Sequence, residues 1–218
     1  MIPKPTHKHY NLKRNTSLLY FDDNEFPIEF YMRGGVCFPI QYEILGRGMD
    51  TNGFALMAGL NLSTGVVTVF EQAQWVTIDD ILDKENQTIR FPGLSHWLNM
   101  IWNQYFARAY YWCQEEELAR RYRLQILRSM MIDPKPWFYE IHAMTPNDIV
   151  SCIWRYTKTG RIIIERDSEL AAQLGQAQKG DKQILPAVYA LGCCLTGIDL
   201  YPFRAPVEEV EKEVLVRW

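Results

Sequence analysis

Basic and aromatic side chains are interleaved within residues 154–166. The aromatic residues are Trp154 and Tyr156, and the cations are Arg155, Lys158, Arg161 and Arg166. Arginine and lysine bind phosphate oxygens and exposed rings stack on bases, so this pattern is typical of a surface that binds nucleic acid or a partner. The competing interpretation is an ordinary helix-to-strand turn with surface cations. The net charge of −3 favours that second interpretation, because no global basic field attracts nucleic acid.

A second group of cations lies in residues 1–17, which contain four lysines or arginines, two prolines and no acidic residue. These cations are Lys4, Lys8, Lys13 and Arg14. An arm of this composition is mobile in an isolated domain unless something holds it. We expect either that a partner holds the arm or that the arm packs on its own sheet.

No arrangement of catalytic residues in the sequence supports an enzyme. The sequence contains no phosphate-binding loop and no GxGxxG or GxSxG motif. Asn61 and Ser63 occupy hairpin positions where a metal-dependent nuclease needs carboxylates, so this hairpin is interpreted as plain structure. The acids around Lys84 are interpreted as a solvated loop rather than a metal site. They are Asp79, Asp80, Asp83 and Glu85. We predict no cofactor, no metal and a non-enzymatic protein.

The five cysteines indicate a reducing compartment. Their number is odd, and none of them has the spacing of a zinc site. Cys193 and Cys194 do not readily pair with each other, because that disulfide strains the peptide between them. There is no apolar secretory signal at the N-terminus, and no apolar run approaches the roughly 20 residues that span a bilayer. We expect a cytoplasmic protein with free thiols and no membrane partner, located in the host cytoplasm or the virion if the gene is viral.

The residues before position 93 predict strands and turns. Two pairs of apolar runs predict hairpins, one at 18–21 and 26–32 and one at 54–62 and 66–72. Gly34 and Gly35 predict a further turn. The remaining predicted strands cover residues 36–45, 75–78 and 88–91. Residues 18–92 are therefore predicted to form an antiparallel sheet of five to seven strands.

Residues 94–131 contain neither proline nor glycine, and they predict one long helix or two nearly collinear ones. Apolar residues in the first half recur every three or four positions, which indicates a buried helical face. Trp102 lies on that face and is expected to fill a core site. In the second half, acids stand four residues before arginines, as in Glu116 and Arg120, which is typical of a solvated face. An amphipathic sheet needs a cover, so the first half is expected to pack on the sheet.

The rest of the chain predicts short helices with further strands. Thr145, Pro146 and Asp148 predict the start of a helix over 146–157, as N-cap, first helical residue and first-turn carboxylate. A strand is predicted over 161–166. Further predictions are a strand at 137–141, a short helix from Asp167 or Ser168 to Leu174, a helix over 181–191 that Pro186 kinks or delays, and a C-terminal strand within 207–218.

We therefore predict an α+β fold in one compact unit of 218 residues. Its parts are a basic N-terminal arm (1–17), an antiparallel sheet region (18–92), a long central helix (93–132) and a mixed C-terminal region (133–218).

Seven tryptophans and twelve tyrosines are many for this length, and wide aromatic surfaces suit protein interfaces as well as a large core. The leading hypothesis is a non-enzymatic structural or adaptor subunit of a larger assembly, for example of a virus, phage or mobile element. Its partners are other subunits or copies of itself. The alternative is a nucleic-acid-binding module that uses the arm and the patch at 154–166. The third hypothesis is a hydrolase or nuclease whose active site the sequence does not reveal.

Overall fold

An eight-stranded sheet with helices on both faces forms the body of the chain in this computed structural model. The structure describes residues 2–22, 26–37, 41–42, 49–50, 53–75, 82–83, 88–89, 92–107, 109–112, 137–140, 144–177 and 184–201. The described helices are α1 (Pro92–Tyr105), α2 (Pro146–Lys158), α3 (Glu169–Gln176) and α4 (Pro186–Asp199). The predicted α+β class is confirmed.

Six strands form a continuous path through the main sheet. They are β1 (His7–Asn11), β2 (Thr16–Tyr20), β3 (Ile28–Cys37), β6 (Gly53–Asn61), β7 (Val67–Trp75) and β12 (Ile162–Ile163). Their order is β1-β2-β3-β6-β7-β12, and each neighbouring pair from β1 to β7 is antiparallel. The parallel strands β10 (Ala109–Trp112) and β11 (Trp137–Glu140) extend the sheet from β3. Two small antiparallel pairs are β4 (Gln41–Tyr42) with β5 (Met49–Asp50), and β8 (Leu82–Asp83) with β9 (Thr88–Ile89).

Side chains of β6 alternate between two cores, one on each face of the sheet. Ala55 and Met57 pack with α1, whose buried residues are Leu94, Trp97, Leu98, Ile101 and Tyr105. Phe54 and Leu56 point to the opposite face, where they pack with the apolar sides of α2, α3 and α4. The first half of the predicted long helix therefore covers the sheet as expected, and a second helical layer covers the other face.

The prediction of one long helix over residues 93–132 is wrong, because α1 ends at Tyr105 and a strand begins at Ala109. Phe106 adopts a left-handed backbone conformation with φ 56°, which stops the helix without glycine or proline. The Phe106 ring packs edge-on against Trp102, with ring centroids 5.2 Å apart. This ring contact offsets the backbone strain at Phe106. The helical pattern of the sequence does not predict the contact.

Gly34 and Gly35 lie inside β3 and do not form the predicted turn. A β-carbon on Gly34 would lie 2.1 Å from Cδ1 of Tyr110, and one on Gly35 would lie 1.8 Å from the backbone oxygen of Ala190 in α4. Because these two positions lack a β-carbon, the Tyr110 ring can pack closely on one face of β3 and the α4 backbone can pack closely on the other.

Both predicted hairpins are confirmed. β2 pairs with β3, and β6 pairs with β7 through a turn in which Gly65 has φ 69°. β12 covers only Ile162–Ile163 of the strand predicted over 161–166, and it pairs with β7 in parallel.

Much of the basic arm is part of the fold. Its residues 7–11 form β1, which pairs antiparallel with β2. Before that strand, the ammonium group of Lys4 lies 3.2 Å from a carboxylate oxygen of Glu71 on β7. The structure therefore agrees with the expectation that the arm packs on its own sheet.

The capping signals of the second half predicted its helices well. The Thr145 hydroxyl accepts from the backbone N–H of Asp148 at 3.3 Å, and the Asp148 carboxylate accepts from the backbone N–H of Thr145 at 2.8 Å. This capping box begins α2, and Ser168 caps α3. α4 starts at Pro186 rather than at residue 181, because proline fits the first helical turn, and it continues to Asp199.

Several predictions fall on residues outside the described ranges. They are the second half of the long helix, the strand over 75–78 beyond residue 75, the acids Asp79, Asp80 and Glu85, and the C-terminal strand within 207–218. Cys113 also falls outside, whereas Cys152 and Cys194 are buried free thiols.

Burial raises the pKa of the Cys194 thiol to about 12. In the unfolded chain this thiol ionises near pH 8.5, so its contribution to folding is fully present below about pH 8.5 and is lost as the pH rises towards 12. We expect the urea midpoint to be lower at about pH 10.5 than at about pH 8, and the decrease to be smaller in Cys194→Ala. Equal decreases in the two proteins would contradict this origin of the alkaline sensitivity.

Candidate functional site

The C-terminal ends of α2 and α4 are joined by hydrogen bonds to one carboxylate. Arg155 donates from Nη2 to Oδ2 of Asp199 at 2.7 Å, and the Tyr156 hydroxyl donates to Oδ1 at 2.6 Å. Burial, followed by the hydrogen bond to Asp199, raises the pKa of Tyr156. The tyrosine therefore remains a hydrogen-bond donor at neutral pH, and both side chains of α2 are held in fixed positions.

A cleft of about 190 Å³ opens beside this junction. Its described lining comes from the β6–β7 hairpin, the C-terminal end of α2 with the residues after it, and the end of α4. The lining residues are Leu60, Asn61, Leu62, Gly65, Arg155, Tyr156, Thr159, Arg161, Ile198 and Asp199. Apolar walls and a few polar groups in one concave site are the usual composition of a binding site.

Hydrogen bonds of the backbone hold the segments that line the cleft. The N–H of Arg161 donates to the carbonyl of Tyr156 at 2.9 Å, and the carbonyl of Arg161 accepts from the N–H of Val67 at 2.8 Å. On the hairpin side, Oδ1 of Asn61 accepts from the N–H groups of Ser63 and Thr64 at 2.9 and 3.2 Å. The Asn61 side-chain oxygen therefore holds the turn.

Trp154 and Lys158 lie on the exposed side of α2. The Trp154 residue is 62% exposed, and the ammonium nitrogen of Lys158 lies 4.8 Å from the centroid of its ring. We call Trp154, Arg155, Tyr156, Lys158 and Arg161 the α2 surface. The structure thus brings these five sequence-predicted residues to one end of α2, where Arg155, Tyr156 and Arg161 line the cleft and the other two lie on the exposed side of the helix.

The predicted residues of the arm lie elsewhere. Lys8 lies 4.7 Å from the centroid of the Phe106 ring, next to the end of α1, and burial lowers its pKa. Lys4 pairs with Glu71, which also accepts from Tyr105 of α1, so Lys4 and Lys8 both belong to the face opposite α2.

The two remaining arm cations lie in the turn between β1 and β2. Arg14 forms an ion pair of 2.6 Å with Glu29 on β3, and Lys13 is exposed. The cations of the arm are therefore divided among several contacts, and half of the four face away from the α2 surface.

Sequence reasoning missed Asp199 and the apolar walls of the cleft. Asp199 is 44 positions from Arg155 and ends an apolar helix, so no local pattern links the two residues. Leu60, Leu62 and Ile198 look like ordinary strand and helix residues in the sequence. Only the packing of α4 against α2 and the hairpin makes them one site.

The chemistry of this junction suits binding. Each carboxylate oxygen of Asp199 accepts a hydrogen bond from α2, so the carboxylate is held as an orienting group. Burial also raises the pKa of Cys152, whose sulfur accepts from Arg155 at 3.4 Å. A thiol of raised pKa is a weak nucleophile, and the phenol of Tyr156 is a weak acid.

A second polar group lies in the core beneath α4. Arg33 is 6% exposed, its Nη1 donates to the carbonyl of Met32 at 2.6 Å, and its guanidinium carbon lies 3.5 Å from the centroid of the Tyr31 ring. The Tyr31 ring in turn packs against that of Tyr201, with centroids 4.3 Å apart. The Tyr31 ring therefore covers one side of this buried charge, and its contact with Tyr201 joins the residue after α4 to β3.

No protein-family model, curated protein or solved structure matches the chain. Within the described ranges, no three histidine, cysteine or acidic side chains group together to hold a metal ion. None of the described helices combines the length and apolar character needed to cross a membrane. The function is therefore inferred from the α2 surface and its cleft.

Proposed function

We propose that the protein is a non-enzymatic structural or adaptor subunit of a larger protein assembly and that the α2 surface contacts another subunit. The observation that carries this proposal is the exposed Trp154 ring on α2, the helix whose Arg155 and Tyr156 line an apolar-walled cleft. Tryptophan, tyrosine and arginine are the residues most enriched at the centres of protein interfaces, and this surface has all three.

The fixed geometry of the surface supports the same proposal. Asp199 holds Arg155 and Tyr156 in place before any partner arrives, so little side-chain entropy is lost on binding. The buried free thiols Cys152 and Cys194 support a reducing compartment, and we propose that the assembly is cytoplasmic.

Binding of nucleic acid is the second candidate, and the pairing of Lys158 with the Trp154 ring favours it. Three observations count against it. Lys4 and Arg14 are already paired with glutamates, and the arm lysines at 4 and 8 face the side of the sheet opposite α2. The net charge of −3 also gives little long-range attraction for phosphates.

We expect Trp154→Ala to weaken assembly by at least about tenfold, because a central aromatic anchor contributes roughly 2 kcal/mol or more to such interfaces. Folding should change by no more than about 0.5 kcal/mol, since the ring is mostly exposed. Sedimentation velocity over a wide concentration range measures self-association, and native electrophoresis of extracts from the producing cells measures assembly with other subunits.

The matched control is His96→Ala, which removes an exposed ring from α1 on the opposite face. If both variants assemble like the wild type, the α2 surface is not the interface. A fluorescence titration with single-stranded nucleic acid at two salt concentrations tests the second candidate. Tight, steeply salt-dependent binding that Trp154→Ala abolishes would favour nucleic acid over a protein partner.

A further inference from the structure

The size of the cleft indicates what it holds. Pockets for cofactors and drug-sized ligands measure roughly 300–1,000 Å³. The cleft measures about 190 Å³, which is room for one large side chain and little more. Interface anchors are side chains that fill small pockets of this kind.

The walls and rim of the cleft select the chemistry of that side chain. Leu60, Leu62 and Ile198 supply apolar surface, which favours an aromatic or aliphatic group. At the rim, Arg155 and Arg161 outnumber the single described acid of the lining, Asp199.

Arg155 retains donors for a ligand although it pairs with Asp199. Its Nη2 donates to Asp199 at 2.7 Å and to the sulfur of Cys152 at 3.4 Å, which uses the two hydrogens of that nitrogen. Within the described part of the chain, no acceptor takes the Nε and Nη1 hydrogens, and the side chain is 60% exposed. A carboxylate at the rim can therefore accept from Arg155 and from Arg161.

We infer that the cleft anchors a peptide segment of a partner protein in which one bulky apolar residue is flanked by acidic residues. The apolar side chain enters between Leu60, Leu62 and Ile198, and a neighbouring carboxylate meets Arg161 and Arg155. This inference rests on the proposed function, because it takes the occupant to be part of a protein. Charge complementarity at the rim and the single-side-chain volume of the cleft carry it.

The test uses three blocked tripeptides titrated into the full-length, ¹⁵N-labelled protein and followed by NMR. The sequences are Asp-Phe-Asp, Lys-Phe-Lys and Asp-Ser-Asp. We expect Asp-Phe-Asp to bind with a Kd on the order of millimolar, as a short isolated anchor should. The other two should bind at least about tenfold more weakly, because one loses the charge complementarity and the other loses the apolar anchor. Amide shifts should centre on Gly65 and Thr159, which line the cleft.

A matched pair of variants assigns the carboxylate contact. Arg161→Gln should weaken binding of Asp-Phe-Asp by at least about fivefold, since it removes one charged donor. Arg166→Gln removes an exposed cation beyond β12, and it should leave binding unchanged. Equal binding of the acidic and basic tripeptides, or no effect of Arg161→Gln in a protein with a native spectrum, would overturn the inference.

The tripeptide experiment and the assembly experiment test the two proposals separately. Selective tripeptide binding with unaltered assembly of Trp154→Ala would support the peptide-binding cleft and reject the α2 surface as the assembly interface. Weakened assembly of Trp154→Ala with no selectivity among the tripeptides would support the interface and reject the peptide-binding cleft.

Discussion

Gly35→Ala is expected to destabilise the protein by more than about 3 kcal/mol, at or beyond the upper end of the range for overpacked cores. The new β-carbon would lie 1.8 Å from the backbone oxygen of Ala190 and 2.8 Å from its carbonyl carbon. Rotation of a side chain cannot relieve a clash with a helix backbone, so α4 would have to move away from β3. Urea unfolding followed by circular dichroism measures the loss.

Gly175→Ala is the matched control for this substitution. Gly175 lies in α3, and a β-carbon there would meet nothing within 4 Å. Alanine is the better helix former, so the control should stabilise the protein by up to about 1 kcal/mol. If Gly35→Ala kept wild-type stability, the close packing of α4 on the centre of β3 would be wrong.

Tyr110→Ala is expected to cost about 3–5 kcal/mol, the usual loss when a large ring leaves a cavity in a packed core. Tyr110 is fully buried, its ring lies against Gly34, and its hydroxyl donates to the carbonyl of Ala107 at 3.3 Å. Trp97 packs against the same ring, with centroids 6.1 Å apart. Removing the tyrosine would therefore open the junction of α1, β3 and β10.

The control for Tyr110 is Trp102→Ala. The sequence pattern predicts that Trp102 fills a core site, whereas the structure leaves it only partly buried in α1 and packed against Phe106. Trp102→Ala should therefore cost clearly less than Tyr110→Ala, although it removes the larger ring. Thermal or urea unfolding of the two variants compares them directly, and a larger loss for Trp102→Ala would contradict the partial burial of Trp102.

Local sequence signals were sufficient to predict the elements that are formed by residues close together in the sequence. The capping box of Thr145 and Asp148, the proline at the start of α4 and the glycine turn between β6 and β7 each act within a few positions. Their hydrogen bonds and backbone preferences operate in almost any tertiary context, so the sequence alone determined these elements and the α+β class.

The tertiary structure decided the end of α1 and the position of the glycine pair. The helical pattern continues past Tyr105, and propensity alone favours one helix. The parallel pairing of Tyr110 with Gly34 and the packing of Phe106 on Trp102 outweigh that preference, because strand pairing and ring burial exceed the small differences in helix propensity. These contacts join distant segments, so no window of sequence contains them.

The same division holds for the α2 surface. The sequence by itself determined the residue types, because alternating cations and rings at 154–161 can be read directly. Only the tertiary structure added Asp199, which orients Arg155 and Tyr156, and the leucines of the hairpin, which give the cleft its apolar walls. A binding site depends on distances between side chains, and those distances are set by the packing of α2, α4 and the hairpin around a shared core.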